Sequence, residues 1–255
     1  MDIRVVVGIS VAFAGILLGF VMDDGHVGAI VQGSAALIVF AGTIGAVLVG
    51  STRHDLKQAR LLSRKLIDDS YENLPSKVYT EINQCAVIAR KESILQIEKR
   101  IDSFSHPFMS SVFRFVVDGV DPKVIKKVFT DEIKQEEEKQ LAGAKLFMDA
   151  GGFAPTVGIL GAVLGLIHVM GNLTDTSKLG SGIAIAFVAT LYGVGSANLI
   201  FIPIANKLKR IIQEEVKLKE MILTGALSVV SGYNPYIIEE QLKPFLTTEI
   251  EKANG

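Results

Sequence analysis

The stretch FAPTVGILGAVLGLIHVM, residues 153–170, decides how the rest of the chain is read. It contains no Asp, Glu, Lys or Arg, and its apolar run carries four small breaks, at Pro155, Gly158, Gly161 and Gly165. A helix needs roughly 20 such residues to cross hydrocarbon. Counting outward, 153–172 meets that length, and so do 5–22, 27–50 and 183–206. Between residues 50 and 153 the sequence turns heavily charged, and it does so again after 206. The 255 residues are 49% apolar with a formal net charge of −1, values a large soluble domain would share. A soluble core spreads its apolar residues periodically, so concentrated blocks point to an integral membrane protein.

The first block competes with a secretory signal. Arg4 makes a thin basic start, no A-x-A site follows Met22, and a second apolar run begins almost at once, so a retained helix is expected. Orientation follows from lysine and arginine. The 22–27 connection holds Asp23, Asp24 and His26 without a basic residue, and the 172–182 connection holds only Lys178. Arg4, Arg53, Arg60, Arg64, Lys207, Lys209 and Arg210 all lie on the other side. Both termini and the long middle segment are therefore expected in the cytoplasm, with the protein multi-pass.

The expected fold is all-α, with four transmembrane helices and a helical cytoplasmic domain between helices 2 and 3. The divisions are 1–50 for the first pair, 51–152 for the insertion, 153–206 for the second pair and 207–255 for a C-terminal helical tail. In the insertion, Leu56, Ala59, Leu62 and Leu66 form an apolar stripe on a polar helix. Pro75, Pro107 and Pro122 punctuate it, and Asp121-Pro122 reads as a helix start with proline at the first helical position. From Lys123 one long helix is expected, interrupted at Gly151-Gly152.

Small residues let membrane helices approach closely. The third segment carries Gly158–Ala162 and Gly161–Gly165 as small pairs four apart; the fourth carries Ala189, Gly193 and Ala197 in a row. These rows mark segments three and four as an inner layer and the first two as more lipid-facing. Thr156, Thr190, Tyr192, Ser196 and Asn198 are polar within that inner layer, with His168 near an end. A hydroxyl in a helix commonly bonds its own preceding turn. Proton relays use an ionisable group in the bilayer, and here no Asp, Glu, Lys or Arg reaches membrane depth. If ions pass, a partner brings the acid. Pro155 and Pro203 lie near the cytoplasmic ends of the two inner helices, where each removes a backbone donor and favours a kink.

Other chemistries find no support. Cys85 is the only cysteine, so no internal disulfide or cysteine cluster forms, and His26, His54, His106 and His168 lack ligand spacing. No phosphate loop or nucleophile elbow occurs, so no catalytic residue, metal or cofactor is assigned. Near-zero net charge gives nucleic acid no electrostatic hold.

The layout resembles the MotA/PomA family of flagellar motor stator subunits across nearly the whole chain. FAPTVGILGAVLGLI is similar to the family's third segment, with its A-P-x-x-G-x-x-G core at Ala154, Pro155, Gly158 and Gly161. TLYGVGSANLIFIPIANKL, from Thr190 to Leu208, is similar to the fourth. FVVDGVD, from Phe115 to Asp121, and ARKESILQIE, from Ala89 to Glu98, match motifs of the insertion. The resemblance implies a homo-oligomeric ring, five copies around two MotB-type chains, whose single membrane helix supplies the missing aspartate. It implies that the insertion turns the rotor through the switch protein FliG, in a membrane whose lipid surrounds the ring. It carries rotor contact to Arg90 and Glu98, with Lys91 assisting. Positions 90, 94 and 98 fall on one four-residue helical row, so the two charges are expected on one helix face, where they supply steering and register. Pro155 and Pro203 match prolines coupling ion binding to conformational change. Sodium-type relatives have threonine at the positions of Ala162 and Ala189. Hard cations want oxygen ligands, so the missing hydroxyls favour protons, although Thr190 keeps one. The alternatives are an ExbB/TolQ-like energiser, whose chains typically have three membrane helices, and a non-motor membrane scaffold or channel.

Overall fold

The computed structural model describes residues 3–66, 73–174 and 176–253, and all regular structure among them is helical. The side chains of Arg4 and Lys178, both used in the orientation argument, lie outside those described. Contacts divide the chain into two units, Met1–Ile67 with Lys139–Arg210 and Asp68–Glu138 with Ile211–Gly255.

The first unit is the apolar one. α1, Ile3–Met22, is apolar from Val5 onward apart from Ser10 and stops at the Asp-Asp-Gly turn, where Asp24 takes a left-handed φ of 59°. The next helix does not start at Val27 as the hydropathy suggests. Val27–Ile30 is a 3₁₀ turn, and the helix proper begins with α2, Gly33–Ala36, passes through a π-turn, Leu37–Ala41, and continues as α3, Gly42–Val49. α4, Arg53–Lys65, opens with a reciprocal capping box. The Asp55 N–H donates to Thr52 Oγ1 at 3.2 Å and the Thr52 N–H to Asp55 Oδ2 at 2.9 Å. Those hydrogen bonds hold the Asp55 carboxyl below the usual carboxylate range.

The second unit begins with α5, Leu74–Lys91, and a 3₁₀ segment, Ile94–Ser103, followed by α6, Pro107–Val117. The FVVDGVD motif is a stop followed by a start. Gly119, with φ +72°, ends α6 by donating to the Val116 carbonyl while Val120 donates to that of Phe115. Asp121 Oδ1 then accepts the Lys123 N–H at 2.7 Å, and Pro122 opens α7, Pro122–Met170. The remaining helices are α8, Thr176–Ser196, a π-turn at Ala197–Phe201, α9, Ile202–Val230, and α10, Pro235–Ala253. α5, the 3₁₀ segment, α6, the start of α7, α9 and α10 close over one core that includes Ile82, Ile97, Met109, Phe113, Met221 and Leu242. Phe108 meets Phe129 edge to face, with centroids 5.4 Å apart.

α7 corrects one expectation. Gly151-Gly152 does not interrupt it; the helix runs 49 residues with both glycines and Pro155 inside. Gly151 is there for contact, since a Cβ at that position would fall 2.6 Å from Ile202 Cγ1. It also lies four residues before Pro155, which has no N–H to offer its carbonyl. Three spans among the described residues are long and apolar enough to cross a membrane: Val27–Val49, Pro122–Met170 and Leu179–Val230.

Candidate functional site

The small-residue rows on α7 and α8 meet each other. A Cβ at Gly193 would lie 2.5 Å from the Ala154 carbonyl oxygen, and one at Gly158 would lie 2.9 Å from that of Ala189. One at Gly161 would meet Ala189 Cβ at 2.7 Å, and one at Gly165 would meet the Ala186 nitrogen and Gly182 oxygen at 2.8 Å. The two helices therefore meet along a seam with no room for a side chain at these four glycines. These glycines press α7 against its own neighbour rather than against a separate central chain. Ala189 is fully buried in the seam and Ala197 is fully buried in the π-turn, whereas Ala162 is half-buried. The opposite face of α7 is bare in the single chain, with Ile159, Leu160, Val163 and Ile167 exposed.

The polar atoms of this pair mostly serve their own helices. Thr156 Oγ1 donates to the Phe153 carbonyl at 2.8 Å, Thr190 Oγ1 to that of Ala186 at 3.2 Å, and Asn198 Nδ2 to that of Val194 at 2.9 Å. Tyr192 is different. Its hydroxyl donates to the Ile30 carbonyl at 2.6 Å and accepts the Gln32 N–H at 3.2 Å, while its ring stacks on Phe40. It thereby satisfies two backbone groups where the chain breaks between the 3₁₀ turn and α2. Thr43, in a segment expected to face lipid, is 1% exposed, and its hydroxyl has no partner among the described residues. Residue spacing signals neither role, because both depend on where α8 and α3 come to lie.

Pro203 is the second residue of α9, directly after the π-turn. A proline cannot donate to the preceding turn, and the wider π-turn takes up the resulting slack in register. Pro203 lines a cleft of about 260 Å³ with Gly8, Ile9 and Ala12 of α1 and with Asn198, Leu199, Ile204 and Lys207. Pro155 is seated within α7 next to Ala154, the residue Gly193 contacts, and Thr190 borders Gly158. Thr190 thus meets α7 at Gly158, one turn from both Pro155 and Ala162, whereas Pro203 stands on α9.

The second unit changes the picture of Arg90, Lys91 and Glu98. The single helical row expected for positions 90, 94 and 98 does not exist. α5 ends at Lys91, Glu92 leaves helical geometry at φ −120° and ψ −85°, and Ser93 is extended. Ser93 Oγ accepts the Leu95 N–H at 3.3 Å and starts the 3₁₀ segment. That segment folds back on α5, with Arg100 Nη2 donating to Gln84 Oε1 at 2.6 Å and the Ser105 hydroxyl to Glu81 at 2.6 Å. Ile97 and Ile101 turn into the core, which is what pulls the segment over. Arg90 and Lys91 close one arm of the hairpin, Glu98 sits on the other, and all three are exposed. No ion pair among the described residues engages them. Behind the hairpin, burial pushes the Cys85 thiol up to about 12. Deeper in the same unit stands a charged group that residue spacing gave no reason to single out, Lys219 with Glu136 and Glu215.

The family model for the MotA/TolQ/ExbB proton channel family matches residues 100–221, and that for the motility protein A N-terminal region matches residues 6–80. Motility protein A of Bacillus subtilis (strain 168) is 35% identical over 246 residues, covering 96% of this chain and 91% of its own. The chain belongs to the MotA family of flagellar stator subunits. Chemotaxis protein PomA of Vibrio alginolyticus is 29% identical over 96% of both chains. The solved flagellar MotAB stator complex from Bacillus subtilis matches with a TM-score of 0.88 and 34% identity over 98% of each chain. The C. jejuni MotAB structure matches with a TM-score of 0.91 and 27% identity over 96% of each. MotA-family membership makes this a membrane protein of an ion-channel family and not an enzyme, and the match over residues 6–80 favours the MotA branch over the energiser alternative. Residues 81–99, which hold Arg90, Lys91 and Glu98, fall between the two MotA-family models and are covered by the whole-length relatives.

Proposed function

We propose that this MotA-family subunit carries half of an ion path and that a MotB-type chain carries the other half. The observation behind the reading is a pairing of two features. The α7–α8 seam is closed by backbone contact, yet the far face of α7 is apolar, bare and without a carboxylate. A charge-free helix face does not move protons by itself, so the membrane aspartate belongs to the partner. In this reading α1, the α2–α3 helix, α7 and α8 with the start of α9 make four spans, and both termini and the 51–152 insertion are cytoplasmic. Residues 1–50 form the outer helices, 153–206 line the path and 207–255 form the tail. Five copies surround two partner helices in the inner membrane. The solved relatives are MotAB complexes, which supports the partner class.

The hairpin bearing Arg90, Lys91 and Glu98 faces the rotor protein FliG, with exposed charges of both signs setting register during a transient contact. Pro155 and Pro203 are the two positions where a missing backbone donor lets the helices bend in step with ion binding. Half-buried Ala162 leaves the path without a hydroxyl that favours a desolvated metal cation, so protons are the coupling ion. Co-expression with the MotB-type subunit and purification in detergent tests the first claim. A stable complex is expected, and its reconstituted vesicles should take up protons until the partner's membrane aspartate is changed to asparagine. A chain that purifies alone overturns the shared path, and flux that follows sodium overturns the proton assignment.

A further inference from the structure

A charged side chain in the core of a small helical unit is unusual, because removing it from water is expensive unless partners surround it. Lys219 is such a residue. It lies on α9 with its side chain only 7% exposed, and its Nζ is 2.7 Å from Glu136 Oε2 on α7. Glu215, one turn back on α9, brings a second carboxylate oxygen to 3.4 Å and is itself 10% exposed. The Phe108 ring of α6 lies over the ammonium, its centroid 5.7 Å from Nζ, while Glu136 keeps 44% of its side chain exposed. The flanking residues Leu218, Met221 and Ile222 are core apolar side chains.

Net stability is a poor reason for this arrangement. A buried ion pair recovers in attraction about what it loses in hydration, and an apolar replacement is often as stable or more so. Register is a better one. Apolar surfaces such as those of Leu218 and Ile222 pack at more than one offset. The ammonium, by contrast, has a single position that serves both carboxylates and the ring face. Sliding α9 one turn along α7 would displace Nζ by about 5.4 Å and strand a buried cation. The trio penalises slippage strongly while adding little to stability.

Slippage matters because of which helices are joined. α7 and α9 are the elements that run on, unbroken, into the apolar unit, α7 toward Pro155 and α9 from Pro203. α9 also packs on the element that carries Arg90, since a Cβ at Gly225 would strike Ile82 of α5 at 2.6 Å. We infer that Lys219 is a positioning residue for torque: it locks α9 in register on α7, so that load on the Arg90–Glu98 hairpin turns the unit instead of shearing its helices. The inference rests on reading that hairpin as the rotor contact.

The test uses a motile host lacking its own copy of the gene and measures motor speed against load, membrane abundance and co-purification with the MotB-type subunit. Lys219→Met keeps the stem and removes the charge. It should accumulate and assemble normally and spin near parental speed at low load, yet lose most of its stall torque. The double variant Glu136→Lys/Lys219→Glu should recover part of the loss. Parental stall torque in Lys219→Met overturns the inference. A loss equal at all loads that tracks reduced abundance overturns it too, by making the lysine merely structural. If Lys219→Met fails to accumulate, Glu136→Gln decides, and parental stall torque there is equally fatal. Arg90→Glu serves as the control: unimpaired torque in that variant removes the rotor reading and this inference with it, whereas impaired torque beside a parental Lys219→Met removes the inference alone.

Discussion

The α7–α8 seam and the α5 hairpin are built on opposite principles. In the seam, Gly158, Gly165 and Gly193 meet the facing helix at its backbone, and glycine on one side of each contact makes that approach possible. In the hairpin, Ile97 and Ile101 are buried in the core, and the charged groups of Arg90, Lys91 and Glu98 are long, exposed side chains. A seam made by absence tolerates no addition, because a new atom meets a carbonyl that cannot move. A surface made by charge tolerates changes of shape but not of sign. The two regions should therefore fail differently, one by losing assembly and the other by losing work.

The largest effect belongs to the seam. In Gly193→Val, Cβ would sit 2.5 Å from the Ala154 oxygen, well inside contact distance, and overpacking of this kind costs about 1–3 kcal/mol or more. Membrane abundance and motility should both collapse. Gly195→Ala is the matched control two residues away, where a Cβ meets nothing within 4 Å, and it should swim normally. Equal tolerance at the two sites would mean that the seam is not tight.

Arg90→Glu comes next. It should nearly abolish rotation while leaving abundance and co-purification with the MotB-type subunit unchanged, because Arg90 is exposed and holds no ion pair among the described residues. Loss of assembly instead would make the charge structural and erase the contrast with the seam.

Tyr192→Phe is a milder test between the two regimes. The hydroxyl satisfies Ile30 and Gln32 together, and leaving such groups unpaired costs about 1–3 kcal/mol. Thermal stability of the purified complex should fall while the ring packing on Phe40 survives. An unchanged melting temperature would show that water replaces the hydroxyl at that break.

How legible each region was follows from the range of the interactions. The apolar blocks, the stop at Met22 and the start at Pro122 are local properties, and composition exposes them. The Arg90–Glu98 row failed because helical spacing assumes a continuous helix. Ser93 caps a new segment instead, drawn over by burial of Ile97 and Ile101. Gly151-Gly152 looked like a break by propensity, yet Gly151 is used where α7 meets Ile202. Tyr192 clasps residues some 160 positions away, and Lys219 reaches Glu136 across 83. No periodicity announces such partners, since a tyrosine or lysine in a helix reads the same whether or not something waits across the core.

Cys85 gives the smallest expected effect and the cleanest check on the core behind the hairpin. Reagents attack the thiolate, and burial raises this thiol from the ordinary cysteine range to about 12. The folded protein should resist maleimide at neutral pH, with full labelling only after denaturation. The sign of the linkage follows from the raised value. The neutral thiol is the form the core accepts, so its contribution is intact below pH 9 and is withdrawn as pH climbs toward 12. Cys85→Ser keeps the size but adds a more polar hydroxyl to an apolar site, whereas Cys85→Ala leaves only a small void. Serine should therefore destabilise the unit at least as much as alanine, and neither change should alter torque. Rapid labelling of the native protein would mean that the hairpin lifts from α5, and the burial that separates it in kind from the seam would have to be given up.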